Sequence, residues 1–416
     1  SAGLSGNSIV RNRKIMKQQF DHSPKKQKIP GLDGLRGIAI LGVIGYHLAP
    51  GIFPGGFLGV NLFFVLSGYL MAVTSRRSQA GEGFHALAFY RRRAARIYPA
   101  LALCVCGTLC VAWLLTPDVL AGIRGEVISI LTGTNNWWQI AQNASYFTKI
   151  TGTSPFTHLW SLAIEMQFYL IWPLLFWGYT VLERQPEAGP IGWSLLIAAS
   201  VLSLFLNFQP GEDPSRVYYG SDTRCFALLI GGLIGLRHRP QRKRRESRPH
   251  LYVIAFLILL VIQLLPYFVA DGERPETYWL LLFPTAWIGA ALIDLCANRC
   301  FSFGRLLDVP LLSWVGKRSY ELYLIQYPIL FFVQRTQPLK SQAGNSILAL
   351  LLILFIGNWM YGILSQMQLR FKKRRQPLDE KTSSEHRHTN IIVIDCCRDD
   401  WRNAGISYRA RTKDQR

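Results

Sequence analysis

Apolar residues in this chain come in long runs divided by basic clusters, near 37–53, 57–74, 97–115, 159–182, 191–208, 222–236, 251–270, 278–296, 319–333 and 346–364. Runs of about 20 such residues match a hydrocarbon core roughly 30 Å thick. No water reaches the backbone there, so each run must close its own hydrogen bonds as a helix. This predicts an all-α, polytopic membrane protein of about ten transmembrane helices. The charged fraction of 17% agrees, since a soluble domain carries about a quarter. The stretch EVISILTGTNNWWQIA at 126–141 is predicted to lie at the interface, because its paired Asn and Trp suit that region better than a span.

The net charge of +21 invites a nucleic-acid reading, but its placement opposes one. With the N-terminus inside and one crossing per run, 39 of the 46 Lys and Arg fall on the inner side. An eleventh span at 126–141 would move RHRPQRKRRESR outside, so the positive-inside bias favours ten crossings with both termini cytoplasmic. The charge then reads as orientation signal and contact with anionic membrane lipid, with no nucleic-acid partner. Residues 1–30 read as a basic disordered segment, 31–370 as the transmembrane domain and 371–416 as a polar cytoplasmic tail. The first apolar run contains His47 and leads straight into the second, which argues against a cleaved signal peptide. The eight cysteines form no zinc spacing or disulfide framework and read as small buried hydrophobes, so no metal is expected.

Ionisable groups inside a bilayer are costly and are functional candidates by default. Arg36 and His47 are eleven residues apart, three turns plus 20°, which places them on one helix face about 16 Å apart. His158 and Glu165 share a face of the fourth run, with Tyr169 a turn further on. Asp222 and Arg224 open the sixth run, just after Tyr218 and Tyr219. Arg92 and Arg96 share a face at the inner end of the third. His47 can serve as a general base or acyl carrier, or as a structural histidine bonded to a neighbouring helix. Glu165 can orient or charge-balance a histidine, or anchor two helices. The arginines can mark topology or clamp the phosphates of a nucleotide-like donor.

These residues lie in six ordered pieces: Arg36-x10-His47, FFVLSGYL at 63–70, RRRAARIYP at 91–99, HLWSLAIEMQFYLIWPL at 158–174, SDTRCFALLIGGLIG at 221–235 and VGKRSYELYLIQYPI at 315–329. Across about residues 29–370 the chain resembles the acyltransferase-3 family of membrane acyltransferases, and within it the membrane part of Gram-positive peptidoglycan O-acetyltransferases. The resemblance implies transfer of acetyl from cytoplasmic acetyl-CoA to an extracytoplasmic glycan, in the bacterial plasma membrane. It implies that Arg36, Arg92 and Arg96 engage the CoA phosphates, with His47 catalytic and Glu165 its partner. Tyr218, beside Asp222 and Arg224, is a candidate outer relay for acetyl, or an interfacial aromatic. Many family members carry a histidine where this chain has Gln326, so no catalytic histidine is expected there.

The peptidoglycan enzymes usually continue into an extracytoplasmic SGNH-type domain. Only 47 residues follow Leu369 and they contain no Gly-Asp-Ser motif. The resemblance therefore leaves three routes: a truncated chain, action with a separate SGNH-type domain, or direct delivery to sugar. The expected acceptor is N-acetylmuramic acid of peptidoglycan in the cell wall. Alternatives are another surface polysaccharide, a lipid-linked sugar or, in a different class, a proton-coupled transporter or flippase of a lipid-linked sugar.

Overall fold

A computed structural model describes residues 29–81, 83–145, 154–183, 185, 187–209, 211–237, 249–272, 274, 277–299 and 301–370. The expectations for most of 1–30, for RHRPQRKRRESR and for the 371–416 tail fall outside the described residues. The described residues are mostly helical, with no strand among them. Ten long helices follow the ten apolar runs: α1 Leu32–Leu48, α2 Gly59–Ala80, α3 Ala86–Leu115, α4 Trp160–Leu182, α5 Ala188–Asn207, α6 Ser221–Arg237, α7 Pro249–Leu264, α8 Phe283–Asp294, α9 Ser319–Thr336 and α10 Gln342–Arg370. By contacts the chain divides between Asn358 and Trp359, and of the second unit residues 359–370 are described, as the last turns of α10.

Among the described residues, seven helical stretches are long and apolar enough to cross a membrane. The remaining three long helices are α1, α6 and α9, of 17, 17 and 18 residues. They carry Arg36 and His47, Asp222 and Arg224, and Glu321 and Gln326. Their polar side chains lower their apolarity, and most of their residues are buried. The charges are thus placed where protein, rather than lipid, surrounds them.

Close packing explains the glycines of the sixth run. A methyl group at Gly68 of α2 would strike the Leu228 carbonyl of α6, and one at Gly231 would strike the Val65 carbonyl. Gly235, four residues on, meets Tyr69 and Ala72 in the same way. This is the small-xxx-small contact that lets membrane helices approach backbone to backbone. Gly31 takes a left-handed φ of 82° and turns the chain into α1. At its other end the Gly55 N–H donates to the Tyr267 carbonyl (3.1 Å), and Gly56 seats the returning chain against Gly42. Arg36 and His47 therefore stand on a helix packed at both ends.

Two connections differ in detail from the sequence expectation. The basic segment before the third run is helical, and α3 begins at Ala86 rather than near residue 97. Alanines and arginines are good helix formers and continue the span without a break. The 126–141 stretch forms two short helices, Ile123–Thr132 and Asn135–Ala141, separated by left-handed Gly133. Neither is long enough to span.

Candidate active site

A pocket opens between α1, α2, α3, α4 and α9, counting about 820 Å3 of non-atom space with its mouth included. The space forms a slot between these helices. Its cationic end is lined by Arg36, Arg93 and Arg96, with Ser319, Tyr320 and Leu70. Glu165 stands midway, and Val60, Phe63, Phe64, Ser161, Leu162 and Tyr323 line the opposite end. From Tyr169 to Ser161 on α4 is eight residues, about 12 Å of depth at ~1.5 Å per residue.

Helix phase decides which arginines take part. Arg93 and Arg96, three apart on α3, line the pocket, whereas Arg92, exposed like Arg96, lies outside the lining. The Arg93 guanidinium sits 4.9 Å from the Tyr169 ring centroid and 5.3 Å from that of Phe89, so it is held by aromatic faces. Arg36 lies 3.5 Å from Asp33, one turn earlier. Glu165 accepts from Ser67 Oγ (2.7 Å) and Tyr169 Oη (3.0 Å), within the field of Arg96 and Arg93. Two carboxylates, Asp33 and Glu165, against three guanidinium groups leave this end net positive, as an anion site requires.

His47 is 4% exposed and lies in a second layer. Its ring meets Tyr327 edge-on at 5.2 Å, and Tyr327 stacks on His158 at 5.1 Å with the planes 17° apart. His158, in the short turn Thr157–Leu159 that opens α4, is 3.0 Å from the Leu324 carbonyl through Nε2. A carbonyl can only accept, so this nitrogen carries the proton. Nδ1 of His158 has no hydrogen-bond partner among the described residues. The chain thus brings His47 together with His158 and Tyr327, and Glu165 together with the arginines.

Tyr218 is fully buried and donates to the Phe57 carbonyl at 3.3 Å. The Arg224 guanidinium lies 4.9 Å from its ring and within 6 Å of the Phe64 and Trp160 rings, an aromatic cage around a buried cation. Asp222 faces elsewhere. Both its oxygens take the Arg216 guanidinium (3.1 and 3.2 Å), and Ser203 Oγ donates to it at 2.6 Å.

One buried carboxylate carried no signal in the sequence. Glu126, in the helix Ile123–Thr132, accepts from Gln139 Nε2 (2.8 Å) and Ser154 Oγ (2.6 Å). Burial pushes its carboxyl above the usual range, and these hydrogen bonds pull it back. Among the described residues no group of three or more His, Cys, Asp or Glu is placed to hold a metal ion.

A family model described as an acyltransferase domain matches residues 29–360. The OatA peptidoglycan O-acetyltransferase of Listeria monocytogenes is 34% identical over 313 residues, which cover 73% of this chain and 50% of that protein. The O-acetyltransferase OatA of Staphylococcus aureus is 34% identical over 316 residues, 73% of this chain and 51% of its own. YrhL of Bacillus subtilis, provisionally named a peptidoglycan O-acetyltransferase, is 38% identical over 310 residues, 73% of this chain and 48% of its own. No solved structure matches the chain significantly. The chain belongs to the acyltransferase-3 family of membrane acyltransferases and is a multi-pass protein of the bacterial plasma membrane. It spans about half the length of the curated relatives it matches.

Proposed function

We propose that the chain is the membrane part of an O-acetyltransferase that takes acetyl from cytoplasmic acetyl-CoA and passes it across the bilayer to peptidoglycan. One observation carries this reading: a cation-ended slot runs from Arg36, Arg93 and Arg96 to within one helical turn of the His47–Tyr327–His158 layer. Guanidinium groups are suited to phosphates and the slot to a thin, flexible arm such as pantetheine. The chain crosses ten times in this reading, with both ends on the Arg36 side, and its working domain is residues 31–370.

The phosphates of the donor rest on Arg36, Arg93 and Arg96. Arg92, exposed beside them, adds only to the surrounding positive field. Glu165 balances the guanidinium charge and, with Ser67 and Tyr169, fixes the middle of the slot. His47 activates the transfer, and Tyr218 relays acetyl on the far side toward the 6-hydroxyl of N-acetylmuramic acid. The names of the Bacillus subtilis and Listeria monocytogenes relatives favour peptidoglycan over other glycans, and the greater length of the relatives leaves room for a further domain, which we take to be SGNH-type, at the acceptor step. Mass spectrometry of acetyl esters on purified wall glycan, with and without expression of the full-length protein, tests the acceptor. Esters gained on muramic acid support it, and esters gained only on another glycan overturn it.

A further inference from the structure

Glu126 is 5% exposed, and its two oxygens serve different parts of the chain. Oε1 accepts from the Gln139 side-chain amide (2.8 Å), which belongs to the neighbouring short helix Asn135–Ala141. Oε2 accepts from the Ser154 hydroxyl at 2.6 Å, the short O–H···O distance of a carboxylate acceptor. Ser154 uses its only hydroxyl proton there, so its lone pairs are left for the Phe156 N–H, which donates at 3.0 Å. The Thr157 hydroxyl donates to the Ser154 carbonyl (3.3 Å), and the Leu159 N–H to the Phe156 carbonyl (2.9 Å). Residues 154–159 are thus one bonded turn, and Glu126 holds its first residue.

That turn carries His158. The ring donates through Nε2 to the Leu324 carbonyl, and the backbone carbonyl of His158 accepts from Tyr323 Oη at 2.5 Å. The Nδ1 lone pair has no hydrogen-bond partner among the described residues, on a side chain 1% exposed. Tyr327 stacks on this ring, meets His47 edge-on, and faces the Thr157 side chain within the field of Glu126. A nitrogen lone pair kept from water can take a proton only along the direction in which it is held. We infer that Glu126 is a positioning residue for the transfer: through Ser154 and the 154–159 turn it sets the His158 Nδ1 lone pair and the Tyr327 ring beside His47. This rests on the reading of the His47–Tyr327–His158 layer as the reacting end, and it adds the anchor that holds that layer from outside α4 and α9.

The two bonds of Glu126 separate this role from one in folding alone, because only the Ser154 bond leads to His158. The test uses the full-length protein in lipid vesicles with acetyl-CoA and a muropeptide acceptor. It measures steady-state thiol release and, by calorimetry, binding of CoA. Ser154→Ala and Glu126→Gln should each lower kcat by about 10–100-fold, since misplacing a reacting group by about 1 Å can cost about 100-fold. The KM for acetyl-CoA and the CoA affinity should stay within about twofold, because the arginines are untouched. Gln139→Ala removes an equally direct bond to the same carboxylate and should leave kcat within about twofold. The Glu126→Gln, Ser154→Ala double variant should be no more than about twofold slower than the slower single variant, because both act through one bond. Wild-type kcat in a Ser154→Ala protein that binds CoA overturns the inference. So does a Gln139→Ala protein as slow as Ser154→Ala, which would assign the carboxylate to folding alone. If Glu126→Gln does not fold, the comparison of Ser154→Ala with Gln139→Ala decides. A wild type that binds CoA but releases no thiol would instead remove the reacting layer itself, and the inference with it.

Discussion

The two ends of the Arg36–His47 face are built from opposite materials. At the Arg36 end, three guanidinium groups and one carboxylate line an open slot, with Arg36 beside Asp33, Arg93 on the Tyr169 ring and Glu165 on two hydroxyls. At the His47 end, two imidazoles are packed among tyrosines and neither lines that slot. The contrast has a physical basis. Charge is cheap to hold where water enters, and nucleophilic or basic nitrogen is most selective where water is excluded. A single turn of α4 and α9, carrying Ser161 and Tyr323, separates the two environments.

The largest expected effect lies at the dry end. His47→Ala should lower acetyl transfer by at least about 10³-fold, the range for loss of a positioned acid–base group, while CoA still binds. Retained transfer in a variant that inserts normally would dissolve the distinction between the ends. At the wet end, Arg36→Ala and Arg96→Ala should each raise the half-saturating acetyl-CoA concentration by about 10–100-fold, corresponding to a lost charge-assisted hydrogen bond of roughly 1.5–3 kcal/mol. Arg92→Ala should change it less than about twofold, as expected for a charge outside the slot lining and separated from the donor by water. Equal effects at Arg92 and Arg96 would replace the slot with a diffuse basic surface.

Outside both ends, Glu126→Ala strands the buried donors of Gln139 and Ser154. It should cost about 1–3 kcal/mol in unfolding measured in detergent, with CoA affinity unchanged. A loss of CoA affinity there would tie this carboxylate to the slot after all.

The membrane architecture was legible because the bilayer imposes it. A run of about 20 apolar residues has few alternatives, and NNWW at 135–138 read as interfacial rather than spanning, where two helices too short to span lie between α3 and α4. The Arg36–His47 spacing needed only helical geometry. The arginine triplet 91–93 was different, since any member can face inward and only the packing of α3 selects Arg93 over Arg92. Pairing α4 with the imidazole layer through His158 rather than Glu165 depends on the turn at Thr157–Leu159, which shifts the phase just before the helix. Tyr218 sits in a stretch that reads as an exposed outer loop, yet it is buried under Trp160 and Phe57. The bonds of Glu126 to Ser154, 28 residues away, are likewise invisible until the chain folds.

The most direct measurement pairs CoA binding with thiol release in vesicles for wild type and His47→Ala, supplied with acetyl-CoA and a muropeptide acceptor. Both proteins should bind CoA with the same affinity, and only the wild type should release thiol. Thiol release by His47→Ala at the wild-type rate, or a wild type that binds no CoA, would contradict the division of the molecule into a donor end and a reacting end.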